Sequence, residues 1–247
     1  MKKTIGILGG MGPEATAYFF ELIIKNTKAE KDQEHIPVII YSNPEVPPRT
    51  DAILEKGESP LPHLLEGARV LRQAGADFIV MPCVTAHYFL DEIVAREKVS
   101  FLSLLDETLL YTQRKMPELK KAGLISSTGT LKSGLFHDAF AREEIEVFGP
   151  EDEEQEQVTE AIFGKQGIKA GFSSGRSKEI IQGVAKTLIK RGAEAVIAGC
   201  TEVPLVLKQE DIAVPFIEPL QILAEVSIVK AGYELKSELE PVVKTIK

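Results

Sequence analysis

Two stretches of the chain read almost alike: "IVMPCVTAHYF" at 79–89 and "VIAGCTEVPLV" at 196–206. Each is an apolar run that breaks at a cysteine, with a threonine close behind. Cys83 and Cys200 are the only cysteines in 247 residues. A thiol becomes a base as its thiolate, and a helix N-terminus beside it favours that form. Two thiols facing one another across a cleft match stereoinversion at a carbon that bears a proton. One thiolate removes the proton from one face, and the other thiol delivers a proton to the opposite face. In the reverse direction the roles exchange. A strand-end cysteine taken alone is more often a small buried hydrophobe. A disulfide would fill the cleft. A metal site would need ligands beyond Cys83 and His87, four residues later.

The elements that must position these thiols follow from periodicity. "TIGILG" (4–9), "IPVIIYS" (36–42), "ADFIVMP" (76–82) and "VSFLSL" (99–104) are apolar runs of the kind that form buried parallel strands. The segments 13–27, 61–75 and 85–97 between them have helical spacing. The pattern then restarts: 121–130 is a strand running into a Gly and Thr turn, 145–150 a second short strand, 177–200 a helix, a Gly turn and a strand ending at Cys200, and 214–219 a last strand. The expected class is α/β, with two pseudo-symmetric three-layer domains of mainly parallel sheet and helices on both faces. The acidic run 151–157 reads as a solvated helix start.

The restart keeps one register. Leu71, Gly75, Ala76, Asp77, Ile79 and Cys83 correspond to Leu188, Gly192, Ala193, Glu194, Val196 and Cys200, each 117 residues on (200 − 83). The same offset takes Gly6 to Gly123 and Gly12 to Gly129. An internal duplication explains this. The expected domains are 1–105 plus 219–247, and 106–218, with a bridging helix over 106–120. The C-terminal helix (219–235) should pack back on the first half. In open α/β sheets, ligands bind beyond the carboxyl ends of the strands, where both cysteines and the glycine turns "GGMGP" (9–13) and "SSTGT" (126–130) fall. The expected site therefore lies between the domains. Thr128, in the second turn, is a candidate for binding substrate.

Composition narrows the partners. Hydrophobic residues make up 44% and charged residues 27%, with a formal net charge of −8. No basic stripe points to nucleic acid or to an anionic membrane. No apolar run reaches the roughly 18 residues of a membrane span. The basic, briefly apolar N-terminus breaks into glycines and reads as a first strand, not as a signal peptide. A reducing cytoplasm is the expected setting.

Four motifs, "GGMGPEAT" (9–16), "YSNPEVPPRT" (41–50), "PCVTAH" (82–87) and "AGCTEVPLV" (198–206), together resemble the aspartate/glutamate racemase family, in particular its aspartate racemase-like branch. The resemblance spans nearly the whole chain. It implies a cofactor-independent amino-acid racemase, a homodimer acting on a small amino acid, with aspartate the first expected substrate and glutamate the next. Neither pyridoxal phosphate nor metal is expected. Cys83 and Cys200 match the catalytic pair. Met11 and Gly12 match the turn that lines the site. Thr85 and Thr201 match residues that hold the α-carboxylate. Arg49 and Lys169, with Lys165 as the alternative, match the cations that meet a side-chain carboxylate. His87 and Glu202 stand where they can support or tune the thiols. Val84 departs from the family's pattern, which has Asn there. A hydrogen bond to a charged group that Asn could make is lost, worth about 1.5–3 kcal/mol. A related isomerase or decarboxylase of another small carboxylate, and an amino-acid-binding homologue without chemistry, remain as alternatives.

Overall fold

A computed structural model describes residues 2–236. Residue 1 and residues 237–247, which the expected first domain includes, lie outside the described residues. Among the described residues the chain forms two four-stranded sheets. The first has the order β2-β1-β3-β4, built from β1 (Ile5–Gly9), β2 (Val38–Ser42), β3 (Phe78–Val80) and β4 (Phe101–Leu102). The second has the order β6-β5-β7-β8, from β5 (Lys121–Ile125), β6 (Glu146–Phe148), β7 (Ala195–Ala198) and β8 (Phe216–Ile217). All pairings within both sheets are parallel. The two orders are identical once the second set is renumbered, as a duplication requires.

The register of the repeat has a physical cause. Gly6 pairs with Ile79 and Gly123 with Val196, the same step in each sheet. A Cβ on Gly6 would lie 2.8 Å from the Ala76 Cβ and 3.4 Å from the Leu71 Cβ. A Cβ on Gly123 would meet the Cβ atoms of Leu188 and Ala193 at 3.0 and 3.1 Å. Glycine is needed at both places because the helix that leads into the neighbouring strand lies against it. That helix is α3 (Leu61–Gln73) in the first half and α9 (Arg176–Lys190) in the second. Each ends at a glycine with positive φ, 95° at Gly75 and 96° at Gly192, a conformation that costs other residues more. The next acid then ties back to the sheet: Asp77 accepts the Thr4 N–H at 2.7 Å, and Glu194 accepts the Lys121 N–H at 3.3 Å.

The remaining helices cover the sheets. They are α1 (Pro13–Asn26), α2 (Arg49–Ile53), α4 (Leu90–Glu97), α5 (Leu104–Lys115), α6 (Thr128–Ser133), α7 (Leu135–Ala141), α8 (Asp152–Phe163) and α10 (Pro219–Lys230). The bridging helix starts two residues earlier than expected, because Ser103 caps it by accepting the Asp106 N–H. The acidic run opens α8 with a capping box at Glu151 and Glu154. The helix expected over 85–97 divides into a 3₁₀ turn at Thr85–Phe89 and then α4. Helix α10 packs against α1 and α5. One continuous apolar core joins both sheets, with Ile5, Ile7 and Val80 on one side and Leu124, Ala195 and Ile197 on the other. Among the described residues no helix is long and apolar enough to cross a membrane.

Candidate active site

Both cysteines border one cavity of about 50 Å³ at the junction of the two halves. That is room for roughly three or four waters at ~10–15 Å³ each. Strand β3 ends at Val80 and β7 at Ala198, so each thiol stands just past the carboxyl end of the central part of its sheet. The walls include Met11 from the first glycine turn, Arg49 and Thr50 from α2, and Thr85 and Thr201 beside the thiols. Contact between α2 and α6 closes one side: a Cβ on Gly129 would come within 2.9 Å of the Thr50 Cα.

The two thiols have different neighbours. The Cys83 sulfur stands 3.5 Å from the Thr85 hydroxyl. The Cys200 thiol donates to Glu202 Oε2 at 2.8 Å, and the Thr201 hydroxyl donates to the same oxygen at 3.1 Å. The other carboxylate oxygen accepts from the Lys169 ammonium in an ion pair. The Glu202 side chain is 3% exposed and that of Lys169 25%, so the pair is largely out of water. Burial drives the Cys200 thiol well above the ordinary cysteine range, and the Glu202 charge adds to this. The depressed thiol pKa expected from a helix N-terminus is therefore corrected at Cys200. Only a 3₁₀ turn, Val203–Leu205, follows it, and a carboxylate faces the sulfur. Burial acts to lower the Lys169 pKa, but Glu202 and the Cys200 and Cys83 sulfurs outweigh it and raise the value.

His87 is buried behind Cys83. Its Nε2 accepts the Leu104 N–H at 3.1 Å, so the proton is on Nδ1, which donates to the Cys83 carbonyl at 2.9 Å. Burial lowers its pKa to about 4, so the ring is neutral near pH 7. It anchors the backbone of Cys83 to the start of α5 and does not border the cavity.

Arg49 borders the cavity, but its guanidinium is held by main chain. It donates to Val46 O and Pro47 O at 3.1 Å each and to Met11 O at 2.8 Å. This ties the first glycine turn to α2. Its buried Nε has no partner among the described residues. Lys169 reaches the cavity, whereas Lys165 is exposed and does not. Gly12 lies beside the ion pair: a Cβ there would be 3.3 Å from Lys169 Nζ. Thr128 is not on the cavity wall; its hydroxyl pairs with Thr159 at 3.0 Å. Ser127 and Thr130 line the wall instead. Val84 lines it as well, and it is also packed in the core shared by the sheets. Phe163, at the end of α8, was not foreseen. The residue is 48% exposed and borders the cavity, and its ring centroid lies 5.6 Å from the Lys169 ammonium. Among the described residues no three His, Cys, Asp or Glu side chains group as a metal site.

Known proteins share this arrangement of chain. The sequence model of the family described as Asp/Glu/Hydantoin racemase matches residues 8–226. The broad specificity amino-acid racemase RacX of Bacillus subtilis (strain 168) is 28% identical over 232 residues, covering 91% of this chain and 96% of the relative. Among solved structures, Picrophilus torridus aspartate racemase is 31% identical with a TM-score of 0.84, covering 95% of this chain and 96% of that one. An aspartate racemase homologue from Pyrococcus horikoshii OT3, PH1733, is 27% identical with a TM-score of 0.75, covering 94% and 100%.

Proposed function

The chain belongs to the Asp/Glu/hydantoin racemase family, and from that premise we propose that it inverts the α-carbon of an acidic amino acid by proton transfer between Cys83 and Cys200. The observation that carries this reading is the pair of thiols on one cavity, each from an equivalent place in a duplicated frame. The resting Cys200 is a thiol, as its burial and the Glu202 carboxylate require. It is ready to protonate one face of a planar α-carbanion while Cys83, as thiolate, removes the proton from the other. In the opposite direction Cys200 must first lose its proton, and Glu202 Oε2, 2.8 Å away, is placed to accept it.

The α-carboxylate has hydroxyl groups to meet it on the wall, from Thr85, Ser127 and Thr130, while that of Thr201 is given to Glu202. Lys169 is the cation for a side-chain carboxylate. Arg49 keeps the turn that bears Met11 in place through its three carbonyl contacts. Aspartate is the first substrate on this reading and glutamate the second. The chemistry uses the two thiols and calls on neither pyridoxal phosphate nor metal.

The test is incubation with L-aspartate and L-glutamate in D2O, following loss of the α-proton by NMR and of optical rotation. Exchange and inversion are expected, with inversion abolished by Cys83→Ala and by Cys200→Ala alike and exchange of the L-substrates abolished by only one of them. The reading fails if neither substrate shows them. Val84, where the family's motif has Asn, favours a second reading: a homologue that binds an amino acid without turning it over. Ligand-induced stabilisation with no exchange would identify that case.

A further inference from the structure

We propose that Lys169 and Glu202 form a latch that an acidic side chain releases, and that its release converts Cys200 into a base. The proposal rests on the racemase reading above and concerns how the substrate's side chain controls the chemistry. Glu202 is held between two donors, the Lys169 ammonium on Oε1 and the Cys200 thiol on Oε2. While the ammonium is bound, the negative charge stays on Glu202 and the proton stays on sulfur. The cavity is partly open to solvent, and side chains on its wall meet whatever enters it. Lys169 is well placed to be one of them. It stands at the mouth beside half-exposed Phe163. Its segment is anchored by fully buried Ile168 but followed by exposed Gly171 and Gly175, both at positive φ.

A side-chain carboxylate exchanges one anion for another on Lys169, so the ammonium remains paired. A neutral side chain offers no anion, and pulling Lys169 away would strand two desolvated charges, which is strongly unfavourable. Once Lys169 has moved to the substrate, Glu202 is a buried carboxylate without its cation. The nearest acidic hydrogen is on Cys200. The S–H bond breaks, an O–H bond forms at Oε2, and sulfur keeps the electron pair as thiolate. That thiolate takes the α-proton, and the Cys83 thiol gives its proton to the other face of the carbanion. Cys83 ends as thiolate and Glu202 as the acid. Return of that proton to Cys83, through solvent, restores the start. The acidic side chain thus governs turnover and not binding alone.

The test uses the wild-type protein in D2O with each enantiomer of aspartate, and with each enantiomer of alanine in the presence and absence of formate, and reads the enantiomer whose exchange Cys200→Ala removes. Alanine and formate together supply the pieces of aspartate. At saturation, alanine is expected to exchange its α-proton at least roughly a hundredfold more slowly than aspartate, and saturating formate to raise the alanine rate at least roughly tenfold. Lys169→Met has no ammonium to hold Glu202. It is expected to exchange alanine at the formate-activated rate, to ignore formate and to lose its preference for aspartate. Equal kcat for alanine and aspartate, with a difference in KM alone, would overturn the latch and leave the racemase reading standing. Absence of any formate effect on the wild type would overturn it too, and that arm needs no variant to fold. Lack of thiol-dependent exchange with every amino acid would remove both readings.

Discussion

Residues 83–85 and 200–202 occupy the same place in two copies of one frame, yet their surroundings differ. In both, the sulfur faces the side chain two residues on: a hydroxyl at Thr85, a carboxylate at Glu202. The pair Val84 and Thr201 differs likewise, and so does the pair His87 and Pro204. What stayed alike is what packs: the glycine under each helix, the left-handed turn after it and the acid that caps the strand. What diverged is what touches the sulfur. Packing constrains both copies equally, whereas the chemistry of inversion asks one sulfur to take a proton while the other gives one.

The largest effects should come from the thiols themselves. Cys83→Ala and Cys200→Ala are each expected to lower inversion by ~10³-fold or more, within the range for a positioned acid/base group. If the two halves act on opposite faces, residual α-proton exchange should survive with one enantiomer in one variant and with its mirror image in the other. Identical residual behaviour would break the comparison. NMR in D2O with each enantiomer measures this.

Pro204 stands where His87 would repeat, and although burial also lowers the pKa of His137 in the second half, the larger acid-sensitive step should belong to the first. The pKa of His87 is about 4 when folded and 6.5 when free, so the unfolded chain binds the proton more readily. The stability it contributes is complete above pH 6.5, falls as the pH drops and levels off below about 4, a total of about 3 kcal/mol. Urea unfolding of the wild type and of His87→Gln across this window should show a shallower acid limb in the variant.

The smallest effect compares the two glycines. Gly6→Ala puts a methyl 2.8 Å from the Ala76 Cβ, while Gly123→Ala has 3.0 Å to the nearest Cβ. Both should destabilise by ~1–3 kcal/mol, with Gly6→Ala the worse. Adding Ala76→Gly should recover part of the loss at Gly6, as two contacting positions require. Thermal melts of the three variants decide it.

Much of this frame was legible in the sequence, because close packing leaves a trace at fixed spacing. Gly6, Leu71 and Ala76 touch, so their counterparts Gly123, Leu188 and Ala193 show the same three residue types. Cys83 and Cys200 were found by the same register. The contacts of Arg49 were not legible, since carbonyls of Val46, Pro47 and Met11 have no residue-type signature. Nor was the turn at 126–130 placed correctly in detail. Ser127 is the extended residue that caps α6, accepting the Thr130 N–H, and Thr128 pairs with Thr159 away from the cavity wall. An aromatic just before the glycine-rich segment 164–175 was the available sign of Phe163, but half-exposed aromatics at helix ends carry little information on their own.

Helix α10 lays Leu220, Leu223, Ala224 and Ile228 into the core that also contains Phe19 and Ile23 of α1 and Leu109 of α5. A helix made early is thereby covered by one that follows far later in the chain. As the ribosome releases the chain, the α1 surface stays sticky until residues near 219–230 emerge, so the nascent first half is the stage most open to aggregation and to chaperone capture.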